Sequence, residues 1–494
     1  MCKIELPLIF QDGMVLQRRK AVCIWGKAEG CEQIQVTLNG HTACARVEKG
    51  SWKTYLPPME AASGLELGIQ GGDFSLTLRD VALGEVWIAG GQSNMEFLLK
   101  YDAEAKEFCR QENPDIRCFE VPKISFEGQE QHYKMSDAGF WRRERPEDSP
   151  YFTAVGFYFA NRLYDVLQVP VGVINCTWGG TSASCWVSEE YLTGDLQFYL
   201  DKARQVQSAM DYDKELPNYI AIQKRILASD IDMGKLNLAP VTPLIDEATH
   251  ERLMTMNNWP FSAFRPCGLY RFMVTTIVPY TVSGVLWYQG ESDEYFSEHY
   301  ENAMRAVVHC WRDSWQEELP FILVQLAAFE VMAEYLDFTP IRRAQQRIAA
   351  TEPGVYMVTA MDVGMQYDIH PKHKRPVGER LALQALDKIY HRHLLADSPT
   401  VQSAQRQGTA VILRMKHTGA GLYVKGQPKT FDVKVDGRLT EDFSVAVLGQ
   451  EIRLESAALL DAKEVLVEFC QRPYCELTIY NSVGLPVLPF SVRL

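Results

Sequence analysis

The sequence predicts an α/β fold in which a doubly wound parallel sheet is flanked by β-sandwich regions. Three observations predict it. Up to about residue 83, short alternating apolar strands are separated by turn dipeptides. From about residue 84, continuous apolar runs alternate with amphipathic helical stretches, which is typical of parallel strands buried on both faces. After about residue 395, the chain returns to short strand-like runs.

Residues 1–83 are predicted to form an N-terminal β-sandwich. Gln33–Leu38, Ala43–Val47 and Phe74–Leu78 are short strand-like runs, and turn dipeptides such as Asn39-Gly40 separate runs of this kind. Repeated short strands at this spacing favour a small sandwich.

Residues 84–395 are predicted to form the α/β domain. Its candidate strands are Glu85–Ala89, Val171–Asn175, Gly284–Tyr288, Phe321–Leu326 and Val355–Ala360. Its candidate helices are Tyr158–Leu167, His299–Trp311, Ile341–Ala350 and Val377–Ile389. Residues from about 187 to 265 fit this alternation poorly, so we interpret them as a helical and irregular insertion or lid.

Residues 396–494 are predicted to form a C-terminal β-sandwich, or to complete the first one. The candidate strands there are Ala410–Met415, Thr430–Val435, Glu464–Phe469 and Glu476–Tyr480.

Composition excludes several classes of partner. The 494 residues are 47% hydrophobic, which is ample for a sizeable core. The formal net charge of −13 disfavours nucleic acid and anionic membranes, because both require clustered lysine and arginine. We expect no membrane span, because no run of about 18 apolar residues occurs.

The twelve cysteines and the N-terminus bear on the compartment. Several cysteines lie in apolar runs, as Cys23 and Cys176 do, which favours buried thiols in a reducing compartment. The alternative, for a secreted protein, is a disulfide between Cys470 and Cys475. The first residues carry no apolar signal segment, so we expect a cytoplasmic protein unless a leader has been removed.

The sharpest segment for chemistry follows the first strand of the predicted α/β domain. Glu85–Ala89 runs into Gly90 and Gly91, then into Ser93 and a helical stretch. The glycines allow a tight turn that places Ser93 at the carboxyl edge of the sheet, where open α/β folds bind ligands. Its N–H, at the start of a helix, is suited to stabilising an oxyanion. The alternative is that Ser93 only caps the helix.

Two further strand ends carry groups suited to an oxyanion. Gly179 and Gly180 follow Val171–Asn175, and glycine amides approach a substrate closely because no Cβ intervenes. Gln289 follows Gly284–Tyr288 and offers an amide donor. Each has a plain alternative, a simple turn for the glycines and a polar surface loop for the glutamine.

A fourth strand end carries an acid and a base. Asp368 and His370 lie two residues apart in the loop after Val355–Ala360. A nucleophilic serine needs a base to accept its proton, and the base needs a carboxylate that fixes its tautomer. Four strand ends therefore carry the parts of one predicted hydrolytic site, and that chemistry needs no metal or other cofactor.

At these residues the sequence resembles the sialate O-acetylesterase family of SGNH hydrolases. The similar segments are Gly91-Gln92-Ser93-Asn94-Met95, Trp178-Gly179-Gly180-Thr181, Trp287-Tyr288-Gln289-Gly290-Glu291-Ser292 and Asp368-Ile369-His370-Pro371. Weaker similarity extends over nearly the whole chain outside residues 187 to 265. The resemblance implies an SGNH-type sheet with jelly-roll-like flanks, and an esterase that removes acetyl groups from sugar hydroxyls, as in O-acetylated sialic acid.

The resemblance also implies roles for individual residues. Ser93 is expected to be the nucleophile, His370 the base and Asp368 the acid that orients it. The expected oxyanion donors are the amides of Ser93, Gly180 and Gly179 and the Gln289 side chain. The residues expected to bind substrate are Asn94, Trp178, Trp287, Tyr288 and Glu291. For the aromatic rings, packing in the core is the alternative.

Two departures from the general SGNH pattern leave alternatives open. General SGNH enzymes carry asparagine where Gln289 stands, and they space acid and base as DxxH where this chain has DxH. The acid is therefore Asp368 or Asp362, or the site is a serine–histidine dyad.

The expected partner is an acetylated sugar, and the oligomeric state is left open. Acetylated plant cell-wall polysaccharide or oligosaccharide, such as xylan, xyloglucan or mannan, is the alternative substrate. A carbohydrate-binding protein without catalytic activity is the alternative from another class.

Overall fold

The structure is a computed structural model that describes residues 2–135, 137–228, 255–330, 337–428 and 430–494. Its central feature is a parallel sheet that continues into an N-terminal group of antiparallel strands, with further antiparallel sheets near the C-terminus. This confirms the predicted mixed α/β class.

The N-terminal region is entirely β in the part that precedes the central sheet. Its strands are β1 (Lys3–Glu5), β2 (Val15–Gln17), β3 (Val22–Glu29), β4 (Gln33–Leu38), β5 (His41–Arg46), β6 (Ser51–Leu56), β7 (Ala62–Gly71) and β8 (Phe74–Gly91). β1, β3 and β6 form one antiparallel sheet, and β4, β5, β7 and the start of β8 pair antiparallel in another. In β4 buried and more exposed residues alternate, as its sequence pattern predicts.

Strand β8 joins the N-terminal region to the central sheet without a break. Over its 18 residues, partial exposure in the first half gives way to complete burial from Val81 to Gly91. The strand therefore crosses the boundary that the sequence predicts between residues 83 and 84. The change in the sequence pattern there reflects the new neighbours that β8 acquires on both of its faces. The domain boundaries themselves stay a prediction.

The central sheet has the strand order β10-β9-β11-β8-β12-β13-β14. Its remaining strands are β9 (Asn113–Glu120), β10 (Trp141–Glu144), β11 (Val171–Thr177), β12 (Gly284–Tyr288), β13 (Phe321–Gln325) and β14 (Val355–Thr359). All neighbours are parallel except β9 and β10. The parallel strands β11, β12, β13 and β14 thus begin and end within two residues of the predicted bounds.

The helices in the described residues are α1 (Ser93–Glu96), α2 (Ala105–Phe108), α3 (Ala154–Leu167), α4 (Gln197–Ser208), α5 (Tyr212–Ala228), α6 (Gly268–Phe272), α7 (Tyr300–Trp315), α8 (Thr339–Thr351) and α9 (Arg375–Lys388). Helix α9 packs against α3, and α7 packs against α8. Strands β13 and β14 each contact both α8 and α9, so helices cover both faces of the sheet.

Helix α3 begins four residues before the predicted start. The Thr153 hydroxyl accepts a hydrogen bond from the Gly156 N–H at 3.3 Å, which caps the helix at a position that hydrophobic periodicity does not reveal. The predicted insertion contains α4 and α5, in agreement with its expected helical character. Residues 229–254 of that insertion lie outside the described residues.

The C-terminal region contains two four-stranded antiparallel sheets and a two-stranded one. Its strands are β15 (Thr400–Gln407), β16 (Ala410–Lys416), β17 (Leu422–Val424), β18 (Phe431–Val435), β19 (Arg438–Thr440), β20 (Ser444–Leu448), β21 (Glu451–Glu455), β22 (Val465–Phe469), β23 (Ile479–Asn481) and β24 (Phe490–Arg493). The strand predicted at Glu476–Tyr480 is shorter and begins only at Ile479.

One disulfide was not predicted. Cys2 and Cys31 are bonded, with their Cα atoms 5.2 Å apart, whereas the other ten cysteines are free. Cys23 and Cys176 are buried thiols, as the sequence predicts, and Cys470 and Cys475 are not bridged.

Candidate active site

The turn at Ser93 depends on Gly91. Strand β8 ends at Gly91, and helix α1 begins at Ser93. Gly91 has φ +129°, and a Cβ at this position would lie 2.1 Å from the carbonyl oxygen of Tyr288. Only glycine fits there, because β8 turns while lying directly against β12. The predicted tight strand-to-helix turn is therefore present.

The glycine pair lies against the serine. A Cβ on Gly179 would be 3.2 Å from the Cβ of Ser93. The Gly179 N–H donates a hydrogen bond to Oε2 of Glu96 at 2.7 Å, so it is not free for an oxyanion in this conformation. Gly180 has φ +78°, and within the described parts of the chain its N–H donates to no other residue. Of the two expected glycine donors, only the Gly180 amide is available.

Gln289 supports the glycine segment from inside. Its side chain is fully buried, and its Nε2 donates to the Thr181 carbonyl oxygen at 3.1 Å and to the Asp293 carboxylate. Both side-chain N–H groups are thereby used, so the structure does not offer the expected third oxyanion donor. Asp293 also accepts from the Ala183 N–H, and burial raises the pKa of Asp293 to about 7.

His370 lies in a buried loop that follows β14. His370 is only 3% exposed, and its Nδ1 atom makes no hydrogen bond. Burial, together with the positive charges of Lys374 and Lys372, lowers the pKa of His370 to about 3. The imidazole is therefore neutral over the whole physiological pH range, as a general base must be.

Neither candidate acid bonds to the imidazole. Asp368 accepts from the backbone N–H of His370 at 2.9 Å and pairs with Lys372 at 3.1 Å. Asp362 forms a bidentate pair with Arg380, at 2.6 and 2.7 Å. The identity of the acid, and the serine–histidine dyad, therefore stay open predictions.

A buried hydrogen-bonded cluster connects the loops that carry Ser93 and His370. Asn94 Nδ2 donates to Oε1 of Glu291 at 2.6 Å and to the carbonyl oxygen of Ile369 at 3.0 Å. The Lys374 ammonium group donates to Oδ1 of Asn94. Asn94 and Ile369 are chain neighbours of Ser93 and His370, so these two loops are in contact.

This cluster corrects the expected role of Asn94. Asn94 is 1% exposed, and its amide N–H groups and its carbonyl oxygen are already bonded inside the protein. Its side chain therefore has no N–H group left for a substrate. Glu291 is 8% exposed and keeps one oxygen, Oε2, without a partner. Burial raises the pKa of Glu291.

The aromatic side chains divide into two groups. Trp287 and Tyr288 are each 1% exposed, and the Trp287 ring packs edge-on against Trp186 and Trp311. The structure does not offer these two rings to a sugar, because both side chains are almost completely buried. Trp178, by contrast, lines a cavity beside Ser93.

Two cavities flank the glycine segment. One, of about 360 Å³, is lined by Ser93, Gly179 and Trp178 together with Glu96, Phe97, Leu98, Tyr101, Lys123 and Met135. The other, of about 320 Å³, is lined by Gly180, Glu291 and Ser292, by serines 182 and 184, and by side chains of the insertion that include Phe198, Lys202 and Phe264. A substrate at the serine has space on both sides.

Sequence reasoning missed Glu96, Lys123, Asp293 and Lys374 in this region. Glu96 pairs with Lys123 and fixes the Gly179 amide. Charged residues in short loops show no periodicity, so nothing in the sequence distinguishes them from solvated surface residues. Among the described residues, no group of three or more histidine, cysteine or acidic side chains is arranged to hold a metal ion, and no helix is long and apolar enough to cross a membrane.

Comparison with known proteins identifies the relationship. A family model described as "Carbohydrate esterase, sialic acid-specific acetylesterase" matches residues 258–387, which include Gln289 and the His370 loop. The chain is 25% identical to the sialate O-acetylesterase of Rattus norvegicus over 460 residues, covering 85% of this chain and 80% of that protein. The chain is similar to the sialate O-acetylesterases over most of its length.

Other similarities extend this relationship. The sialate O-acetylesterase of Homo sapiens is 24% identical and covers 85% of this chain and 78% of its own length. The crystal structure of a carbohydrate acetylesterase from Xanthomonas citri superposes on this chain with a TM-score of 0.76. That structure is 27% identical and covers 99% of both chains.

Proposed function

We propose that the protein is a serine-dependent carbohydrate O-acetylesterase with an SGNH-type catalytic domain. The observation that carries this proposal is the contact of three loops at one edge of the sheet. Ser93 lies against Gly179, and Asn94 bonds to the residue that precedes His370. The named relatives are acetylesterases, and their similarity extends over most of the chain.

In the proposed mechanism, Ser93 Oγ attacks the acetyl carbonyl carbon while His370 accepts the hydroxyl proton. The negative charge on the carbonyl oxygen is stabilised by the amides of Ser93 and Gly180. When the intermediate collapses, His370 donates its proton to the leaving sugar oxygen. Water then attacks the acetyl-serine with His370 again as base, and acetate leaves.

The low pKa of His370 supports its role as base, but the acid remains part of the proposal. Asp368 is the preferred acid because its carboxylate lies in the same turn as the imidazole and already accepts the His370 N–H. Asp362 is less suited, because Arg380 holds both of its oxygens. A Ser93–His370 dyad is the remaining alternative.

The polar lining of one of the two cavities supports a substrate with a polar body. Gly180 borders the cavity that also contains Glu291 and three serines, and such polar groups suit sugar hydroxyls. We propose an O-acetylated sugar, with acetylated sialic acid as the first candidate and acetylated xylan, xyloglucan or mannan as the alternative. Mass-spectrometric product analysis on a panel of these substrates distinguishes them.

The proposal predicts loss of esterase activity on removal of the nucleophile. Ser93→Ala should lower kcat on 4-nitrophenyl acetate by a factor of at least about 10³, because residual catalysis then comes only from binding and the oxyanion donors. Ser208→Ala, an exposed serine at the end of α4, is the matched control and should keep most of the activity. Equal rates for Ser93→Ala and wild type would contradict the proposal and favour a carbohydrate-binding protein without turnover.

A further inference from the structure

Lys374 is buried at the point where the proposed catalytic loops meet. It is 1% exposed, and its ammonium nitrogen lies 4.8 Å from the centre of the Phe97 ring and 5.5 Å from that of Tyr288. A buried ammonium group is costly unless it is hydrogen-bonded and faces compensating charge or aromatic rings. Most lysines lie at the surface and are solvated there. The burial of Lys374 therefore calls for a different explanation.

The ammonium group of Lys374 bonds to a side chain that makes two further hydrogen bonds inside the protein. It donates to Asn94 Oδ1, while Asn94 Nδ2 donates to Glu291 and to the Ile369 carbonyl oxygen. One amide thus joins the segment after β8, the segment after β12 and the segment after β14. The lysine fixes the orientation of that amide, because an ammonium group donates and never accepts hydrogen bonds.

The backbone of Lys374 is also anchored. Its N–H donates to Oδ2 of Asp102 at 2.8 Å, and the Tyr158 hydroxyl donates to Oδ1 of the same carboxylate at 2.6 Å. Tyr158 lies in α3, which packs against the helix that begins at Arg375. The lysine is therefore held from both its main chain and its side chain.

We propose that Lys374 is a positioning residue of the esterase site, which acts through Asn94 to hold the Ser93 turn and the His370 loop in register. This inference rests on the proposed function for its meaning in catalysis, although the positioning itself is a property of the folded chain. Lys374 contacts no reacting atom in this account.

The charge of Lys374 adds an electrostatic effect that a purely structural residue would not have. The charged groups that act on His370 are Lys374 and Lys372, and both lower its pKa. The groups that act on Lys374 are Glu291, Asp102 and Asp368, which favour its charge, and Lys372, which opposes it. Burial is the largest influence and lowers the pKa of Lys374 to about 7. Removing the lysine should therefore raise the pKa of His370.

The test compares three substitutions and a double-mutant cycle. Lys374→Met removes the donor and the charge, whereas Lys374→Gln keeps a donor without the charge. Lys388→Met, at the other end of the same helix, is the matched control. We expect Lys374→Met to lower kcat roughly a hundredfold with little change in KM, because small misplacements of catalytic groups have effects of this size. Lys374→Gln should recover part of that loss.

The cycle with Asn94→Ala tests whether both residues act as one unit. If Lys374 acts through Asn94, the double variant should be no worse than the poorer single variant, because the second change removes a contact already lost. Independent, multiplying losses in kcat would overturn the proposal.

A measurement independent of turnover separates this inference from the proposed function. In the Ser93→Ala protein, the His370 imidazole is titrated by NMR with Lys374 intact and with Lys374→Gln. The protein with Lys374→Gln should show the higher His370 pKa and the faster amide exchange in residues 92–96 and 368–372. An unchanged titration and unchanged exchange would refute the positioning role, whether or not the protein proves to be an esterase.

Discussion

At the scale of single residues, burial determines the chemistry of His370. A histidine on the surface would be half protonated near pH 6.5, whereas His370 is buried near two lysines and has a pKa of about 3. The neutral imidazole is the form that accepts a proton. A base with a lowered pKa therefore stays neutral and active as the pH falls. Its activity declines only near the pKa that it has in the folded protein.

This predicts an unusually low acid limit for the reaction. The kcat/KM for 4-nitrophenyl acetate should be nearly constant from pH 6 to pH 5, a range in which Lys374, with a pKa of about 7, is already protonated. A base with an ordinary pKa would lose about eightfold over the same range. The check is a kcat/KM profile, with circular dichroism at each pH to confirm that the protein is folded. A limit near pH 6.5 would contradict the burial argument and would indicate a carboxylate bonded to Nδ1.

A second prediction at this scale concerns Gly91. Gly91→Ala should lower the free energy of unfolding by about 3 to 5 kcal/mol, because the new methyl group meets the Tyr288 carbonyl oxygen and the backbone is left-handed. Gly40→Ala is the matched control, since Gly40 has φ +79° with nothing within 4 Å of its Cβ. It should cost only about 1 to 2 kcal/mol. Equal losses in urea unfolding would show that the close approach of β8 and β12 is absent.

The positions of the site residues were more predictable than their roles. Ser93, Gly180 and His370 follow strands, and strand ends can be recognised from apolar runs. The side chains of Gln289, Asn94 and Glu291 carry amide and carboxylate groups, which are also the groups that substrate-binding residues use. Their use inside the protein depends on partners such as Asp293 and Lys374, which come from other loops and have no signature in the sequence.

At the scale of elements, the Glu85 carboxylate connects strand β8 to three other segments of the chain, below the edge of the sheet that carries the proposed site. The carboxylate accepts from Arg18 at 2.6 Å, Ser283 at 2.6 Å, Tyr390 at 2.9 Å and Gln17 at 3.0 Å. Burial would raise the pKa of Glu85, but the hydrogen bonds from Gln17, Ser283 and Arg18 outweigh it and lower the pKa.

Glu85→Ala should lower the free energy of unfolding by about 3 to 5 kcal/mol at pH 7, because it leaves Arg18 buried without its charge partner. Since the folded pKa is depressed, this stabilisation is complete above the unfolded value and declines as the pH falls through the folded one. Urea unfolding of wild type and variant at pH 7 and at low pH measures both effects. The control Glu60→Ala removes an exposed partner of Arg19 and should change stability by less than about 1 kcal/mol. A Glu85 variant as stable as the control would contradict this role.

Element bounds show what the sequence determines locally. Strands β11 to β14 were predicted within two residues, because each is a continuous apolar run between turn residues. The parallel strand β9 (Asn113–Glu120) was not predicted. Helix α3 was predicted to start late, because its cap at Thr153 acts through one hydrogen bond. The Cys2–Cys31 disulfide joins residues 29 apart, and no spacing rule identifies that pairing.

At the scale of the whole molecule, the strand order creates the proposed site. Parallel strands β8, β11, β12 and β14 send their following loops to the same edge of the sheet, so chemistry from four distant segments meets there. The sequence predicts that these ends share an edge. It does not predict the order of the strands, because pairing between segments hundreds of residues apart depends on tertiary packing.

The C-terminal region is connected to the central sheet through buried contacts. Arg342 of α8 is 2% exposed and donates to the carbonyl oxygens of Arg472 and Pro473, at 3.2 and 2.7 Å. Helix α8 also lies beside the segment that follows β12. The loop between β22 and β23 therefore supports α8, which lies beside the proposed site, a relation that no local sequence pattern indicates.

The central claim is that Ser93 becomes acylated with His370 as its base, and covalent labelling tests it most directly. Wild type, Ser93→Ala and His370→Ala are treated with a fluorophosphonate probe, and the labelled peptides are identified by mass spectrometry. The account predicts one label on the Ser93 peptide in wild type, none in Ser93→Ala, and labelling slowed by at least about 10³ in His370→Ala. Labelling of a different serine, or equal labelling of all three proteins, would contradict it.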